Sequence, residues 1–233
     1  MESILKAMFK YIIFFTFTII MCFVIYKKTP MKKTDINSLN LSNIDNLMIV
    51  AHPDDETIWG GAHLLQDNYL VVCITCGTSR TRVEEFKKAL AISKDSYVML
   101  SYPDKTNNKK DDWSKVYNNI KIDLEKIIKL KKWDTIVTHN VDGEYGHIHH
   151  KMTHNIVKSI YESNNIDSYL YFFGKYYNKK DINLYKDSLV PISKEKSDIK
   201  INKMISVYKS QSFITDYFGH MFNYENWQQY NNI

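Results

Sequence analysis

Residues Asn46 to Glu56 read NLMIVAHPDDE: an uncharged, mostly apolar run of six that breaks into a histidine, a proline and three acids. A run that short and that apolar, stopped by a proline, has the signature of a buried strand. Pro53 forces the chain into an extended turn, so a strand over Asn46 to Ala51 must hand over to a different element at once. The next segment, Asp55 to Gln66, has helical spacing. Outward from this junction the alternation repeats. Tyr69 to Cys76 (YLVVCITC), Tyr97 to Ser101 (YVMLS), Asp134 to His139 (DTIVTH) and Tyr169 to Phe173 (YLYFF) are further apolar runs. Between them lie helical segments over Thr81 to Lys94, Trp113 to Lys131 and His147 to Tyr161. In the second of these, Val116, Ile120, Leu124, Ile127 and Ile128 form one stripe.

Strands alternating with helices of that length need right-handed crossovers, and these place helices on both faces of a mostly parallel sheet. The sequence therefore predicts an α/β, Rossmann-like fold over residues 35–233. A further helix is expected over Ile199 to Ser210, followed by an aromatic tail through Phe213, Tyr217, Phe222, Tyr224 and Trp227. Composition agrees with a packed domain: 44% hydrophobic, 24% charged and 14% aromatic residues leave no room for disorder or a fibrous repeat. Three cysteines cannot make a disulfide framework, so the fold must rest on packing. The net charge of +5 comes from lysines spread along the chain, with Arg80 and Arg82 as the only arginines. Nucleic-acid binding is not expected from that pattern, because base and phosphate readers prefer arginine.

Tyr11 to Tyr26 (YIIFFTFTIIMCFVIY) carries no charge and is bracketed by Lys10 and by Lys27 and Lys28. At 1.5 Å per residue its reach is roughly 24 Å, which Met8, Phe9 and snorkelling lysines extend toward a membrane span. The expectation is a single-pass anchor over residues 8–26 within an anchor and tether of residues 1–34. It is uncleaved, since no small-residue cleavage site follows. The slight lysine excess after the run puts the domain on the cytoplasmic side.

In open parallel sheets ligands bind at the carboxyl ends of the strands. Two such junctions are unusual. One is His52-Pro53-Asp54-Asp55-Glu56. The other is Asp142 to His150 (DGEYGHIHH), and five of the eight histidines lie between His139 and His154. A metal hydrolase needs two or three histidine or carboxylate ligands, an open position for water and a separate base. Three ligands drawn from His52, Asp55, His147 and His150 would meet the first need, and Asp54 can take the water proton. A second arrangement pairs His150 with His154, one turn on, and leaves His147 for acid chemistry; helical geometry turns His149 away from both His147 and His150. An acid-rich turn before a helix is also an ordinary N-cap, so the weight lies in the coincidence of both junctions on one sheet. Cys73 and Cys76 resemble a redox pair, yet they fall in a strand and read as core.

The paired motifs His52-Pro53-Asp54-Asp55-Glu56 and Gly146-His147-x-x-His150 resemble the LmbE-like or PIG-L family of zinc-dependent N-deacetylases. Arg82-x-x-Glu85, Pro103-Asp104 and the segment Lys203 to Gln211 add to the likeness. The resemblance implies that His52, Asp55 and His150 bind Zn2+, with Fe2+ as another divalent ion that suits the donors. It implies Asp54 as general base, His147 as proton donor or oxyanion stabiliser, and Tyr145 as a group polarising the amide carbonyl. The implied reaction removes acetyl from an N-acetylglucosaminyl glycolipid or glycan. Alternatives within the same fold are a sugar-binding module without turnover and a deacylase acting on a small-molecule glycoside. Many members carry Asp where this chain has His149, which bears on the tautomer of His147.

Overall fold

The computed structural model describes residues 11, 14–16 and 39–231. The first apolar run forms β1 (Asn46–Val50), and the chain then alternates as its sequence predicts: α1 (Asp55–Leu64), β2 (Tyr69–Thr75), α2 (Arg80–Ser93) and β3 (Ser96–Tyr102). A two-stranded hairpin, β4 (Lys105–Thr106) and β5 (Lys109–Lys110), precedes α3 (Tyr117–Ile128) and β6 (Thr135–Thr138). One distorted turn, α4 (Gly143–Gly146), leads into α5 (Ile148–Ser163) and β7 (Tyr169–Phe172). The C-terminal part holds α6 (Lys194–Ile199), α7 (Phe213–Phe218) and β8 (Gln228–Gln229).

The sheet order is β3-β2-β1-β6-β7-β8, parallel throughout except for β8, which runs antiparallel to β7. Strand period 2 sorts the side chains between two faces. Met48, Val50, Val71 and Cys73 face Ile58 and Trp59 of α1, Val83, Phe86 and Leu90 of α2, and Met204, Tyr208 and Phe218 further on. Leu47, Ile49, Leu70 and Val72 face Ile120, Leu124 and Ile127 of α3 and Ile156, Val157 and Ile160 of α5. Each fully buried aliphatic side chain contributes about 1.5–3 kcal/mol, so two cores of this size hold the central strands rigidly. The expected α/β architecture is present.

Two local expectations differ. The helix over Ile199 to Ser210 is not continuous: α6 ends at Ile199, and a π-turn over Lys200–Met204 and short 3₁₀ turns follow. The irregular path lets three residues make inward polar contacts. Lys200 Nζ reaches the Ile58 carbonyl at 2.8 Å and Glu225 at 2.6 Å, Tyr208 donates its hydroxyl to Glu56, and Ser210 donates to Glu85 through N and Oγ. The helix expected from Trp113 begins instead at Tyr117, because Trp113 sits at φ 52.

Among the described residues no helix is long and apolar enough to cross a membrane. The anchor expected over 8–26 lies outside the described residues apart from 11 and 14–16.

Candidate functional site

At the carboxyl end of β1 the chain turns sharply through His52, Pro53 and Asp54. Asp54 adopts φ 123, a conformation non-glycine residues avoid and which persists only where its surroundings impose it. Here they do. Arg82 Nη2 donates to the Pro53 carbonyl and lies 3.3 Å from Asp54 Oδ2. The Asp54 N–H donates to Glu56 Oε2 at 2.9 Å, and Glu56 is fixed from its other side by Thr57 Oγ1 and the Tyr208 hydroxyl. Asp55, first residue of α1, accepts the His52 backbone N–H at 2.8 Å.

The second junction follows β6. Gly143 and Gly146 take φ 64 and 96, which folds the chain tightly back before α5. A Cβ on Gly143 would meet Lys151 Cγ at 2.9 Å. The turn carries Glu144 inward, where it is buried between two imidazoles. Its Oε2 lies 3.0 Å from His139 Nδ1 and 2.5 Å from His150 Nδ1, while Oε1 accepts the Asn140 N–H at 2.9 Å.

The two junctions meet in a triangle of donors. His52 Nδ1 lies 3.2 Å from Asp55 Oδ2 and 3.3 Å from His150 Nε2, and His150 Nε2 lies 3.2 Å from Asp55 Oδ1. Ligands about 2.0–2.2 Å from a tetrahedral ion are spaced roughly 3.3–3.6 Å apart, so the donor set and its spacing fit a divalent ion such as Zn2+. His147 completes a further cluster with His52 and His150. His139 also approaches Asp55, but both its nitrogens are engaged, Nε2 by the Ala51 N–H at 3.0 Å and Nδ1 by Glu144. It has no lone pair left to offer.

The electrostatics favour positive charge in the triangle. Burial pushes Asp55 up, yet the His150, His52 and His139 rings outweigh it and hold the carboxyl well below the usual range. Burial lowers His150, but Asp55 and Glu144 outweigh that and raise it to about 10. Beside the triangle, burial and then the Asp55 charge push Asp54 up to about 8, against the pull of Arg82. His147 is depressed to about 2 by burial and by the neighbouring imidazoles, so it is a neutral ring. Its Nδ1 accepts the His149 backbone N–H at 3.3 Å, which leaves the proton on Nε2.

All six residues singled out in the two motifs, His52, Asp54, Asp55, Tyr145, His147 and His150, come together. All but the fully buried His150 also line a cleft of about 680 Å³. Trp59, Tyr176, Phe213, Tyr217 and Phe218 line it beside Tyr145, which is 43% exposed, and Arg82, Asp104, Lys105 and Lys110 line it too. His154 is not part of this group. It sits one turn along α5, bonded to the His139 carbonyl at 2.9 Å and packed on Phe172, so the pairing with His150 is not assembled. His149 does not point away: its ring is buried against His52 at 3.0 Å, because α5 starts only at Ile148 and its first turn lies against the β1 loop. His147 therefore depends on the His149 backbone and not on its side chain. Cys73 is core as expected, whereas Cys76, at φ 66, borders the cleft. No motif in the sequence assigns a role to His139 or Glu144. Their only signal was position, a polar residue at the end of β6 and an acid inside the glycine turn.

The chain matches the PIG-L family, GlcNAc-PI de-N-acetylase, over residues 47–161 and belongs to it. An uncharacterised protein of Acanthamoeba polyphaga mimivirus is 30% identical over 187 residues, with 73% of each chain covered. Among solved structures, the A40926 pseudoaglycone deacetylase Dbv21 superposes with a TM-score of 0.54 at 15% identity, covering 75% of this chain and 85% of that one. A deacetylase of the teicoplanin biosynthetic pathway gives 0.56 at 16% identity, with 73% and 84% covered. At such identities these two establish a common fold.

Proposed function

We propose that the protein is a metal-dependent hydrolase that removes the N-acetyl group from an N-acetylglucosamine-type glycoconjugate. The observation that carries this reading is the donor triangle of His52, Asp55 and His150 at 3.2–3.3 Å, open to a cleft beside Asp54. These three residues would hold the ion, with Zn2+ the best match to two imidazoles and a carboxylate. When bound, such an ion polarises the amide carbonyl and makes water a stronger acid.

The remaining steps belong to the chain. Asp54, buried yet lining the cleft, takes a proton from the attacking water as its oxygen bonds to the carbonyl carbon. The oxyanion that forms accepts hydrogen bonds from the neutral His147 through Nε2–H and from the Tyr145 hydroxyl. A ring held at about 2 carries no extra proton at neutral pH to hand to the leaving nitrogen, so His147 serves as a donor of hydrogen bonds through Nε2–H. Asp54, protonated in the first step, returns the proton to the nitrogen as the C–N bond breaks. Acetic acid and the amine are the products, and they part as acetate and ammonium at neutral pH. Tyr145, exposed in the cleft and backed by buried Trp59 and Phe218, gives it an aromatic face on which a sugar ring can stack.

The test is acetate release from N-acetylglucosaminyl lipids and short chitooligosaccharides, with the metal removed and then restored. Release that follows the metal and disappears in Asp54→Asn, with metal content unchanged, is the expected result. No release from any N-acetylhexosamine conjugate by fully loaded protein would sink the proposal.

A further inference from the structure

The two imidazoles of the triangle present different nitrogens to it, His52 through Nδ1 and His150 through Nε2. A neutral imidazole has one lone pair, so each ring must keep its proton on the opposite nitrogen and have a partner there. Glu144 does this for His150. The corresponding partner of His52 Nε2 is Nδ1 of His149, 3.0 Å away.

His149 can only accept from His52. Its Nε2 lies 2.7 Å from the Asp111 carbonyl oxygen, which accepts and never donates, so Nε2 carries the proton and Nδ1 the lone pair. The ring has no freedom to change that. It is fully buried and lies face to face on Trp113, with centroids 4.3 Å apart and planes 3° from parallel. Trp113 is in turn fixed by its indole N–H to the Pro103 carbonyl and its backbone N–H to Asp111 Oδ1, both at 2.7 Å.

We infer that His149 is a positioning residue: a neutral imidazole that receives the Nε2–H of His52 and so aims the His52 Nδ1 lone pair into the donor triangle, with residues 103–113 as its mount. This rests on the metal-site reading above. A neutral acceptor has a physical advantage here, since a carboxylate would add negative charge beside Asp54, Asp55 and Asp104. Asp104 Oδ1, 3.5 Å from His52 Nε2 and 3.7 Å from His149 Nδ1, makes these three atoms a candidate second cation site. Filling it would require His52 as a doubly deprotonated bridge. The 3.0 Å nitrogen pair is a hydrogen bond instead.

The experiment combines two variants of the full chain with two readouts. His149→Phe keeps the stacking on Trp113 and removes the acceptor; His149→Gln gives up the ring but can still accept and donate. Zinc affinity is measured by chelator competition, and the His52 ring is observed by two-bond 15N–1H correlation in the zinc-loaded protein. Zinc coordinated at His52 Nδ1 with the proton on Nε2 is expected in the wild type. His149→Phe is expected to weaken zinc 10- to 100-fold, the usual loss for a missing outer partner. His149→Gln should recover most of it. A purely structural role would give the opposite order, with Phe better than Gln, and would overturn the inference. So would coordination at His52 Nε2, or two equivalents of zinc in the wild type falling to one in His149→Phe. Absence of acetate release with these results intact would reject the deacetylase reading and leave the positioning role standing.

Discussion

The carboxylate of Glu144 lies 2.5 Å from Nδ1 of His150 and thereby turns Nε2 of that ring toward Asp55. Outer partners of this kind fix the tautomer and raise the basicity of a ligand. Glu144→Gln should therefore weaken zinc about 10- to 100-fold with the three donors untouched. Chelator competition reads it directly, and unchanged affinity would refute the assignment.

Because His150 is raised to about 10, it is protonated in the ion-free protein at neutral pH. An ion that takes its lone pair must displace that proton. Binding is expected to release at least one proton at pH 7 and to strengthen as pH rises. Calorimetry in two buffers of different ionisation enthalpy measures the number; zero release would contradict the electrostatic picture.

Arg82 and Glu56 hold Asp54 at φ 123 through the Pro53 carbonyl, the Asp54 carboxyl and the Asp54 N–H. Arg82→Met frees the first two contacts. Since a misplacement of about 1 Å can lower turnover roughly a hundredfold, kcat should fall by tenfold or more. Zinc content should stay the same. A variant with full turnover would show that the clamp does not matter.

His147→Gln and Tyr145→Phe test the two oxyanion donors. Loss of one such donor typically lowers kcat about 10²–10³-fold, and zinc affinity should hardly change because neither residue belongs to the triangle. A reduced affinity with normal turnover per bound ion would instead make them ligands.

Behind α1, buried Glu225 joins Lys200 Nζ at 2.6 Å, His63 Nδ1 at 2.7 Å and the Ala62 N–H at 2.8 Å. Burial pushes its carboxyl up, but Lys200 and His63 outweigh this and hold it at about 2, below the ordinary 4.5. A depressed folded value means stability that is present above pH 4.5 and is lost as pH falls toward 2. At about 1.4 kcal/mol per unit the contribution is roughly 3 kcal/mol. Glu225→Gln strands the Lys200 charge and should destabilise by about 3–5 kcal/mol near pH 7. Urea unfolding at pH 7 and pH 3 checks both; equal stabilities of variant and wild type would overturn the pairing.

The alternation of apolar runs with helical segments determined the strands, the parallel sheet and the position of both chemical loops, because hydrophobic period and a proline stop act locally. For the same reason His52, Asp54, Asp55, Tyr145, His147 and His150 stood out in the sequence. Their neighbours did not. His139 and Glu144 reach the site only because β6 lies beside β1, which lets Glu144 bond two rings at once. Helical geometry alone does not give the orientation of His149, since its partners, Asp111 and Trp113, come from a loop in another part of the chain. The break after Ile199 likewise follows from distant groups, Glu225 and Ile58, that accept from Lys200. Sequence by itself determined which donors are present. Which nitrogen of each imidazole is free, and which carboxylates hold protons, was decided by tertiary structure, because tautomer and charge depend on the atoms within hydrogen-bond reach and not on neighbours along the chain.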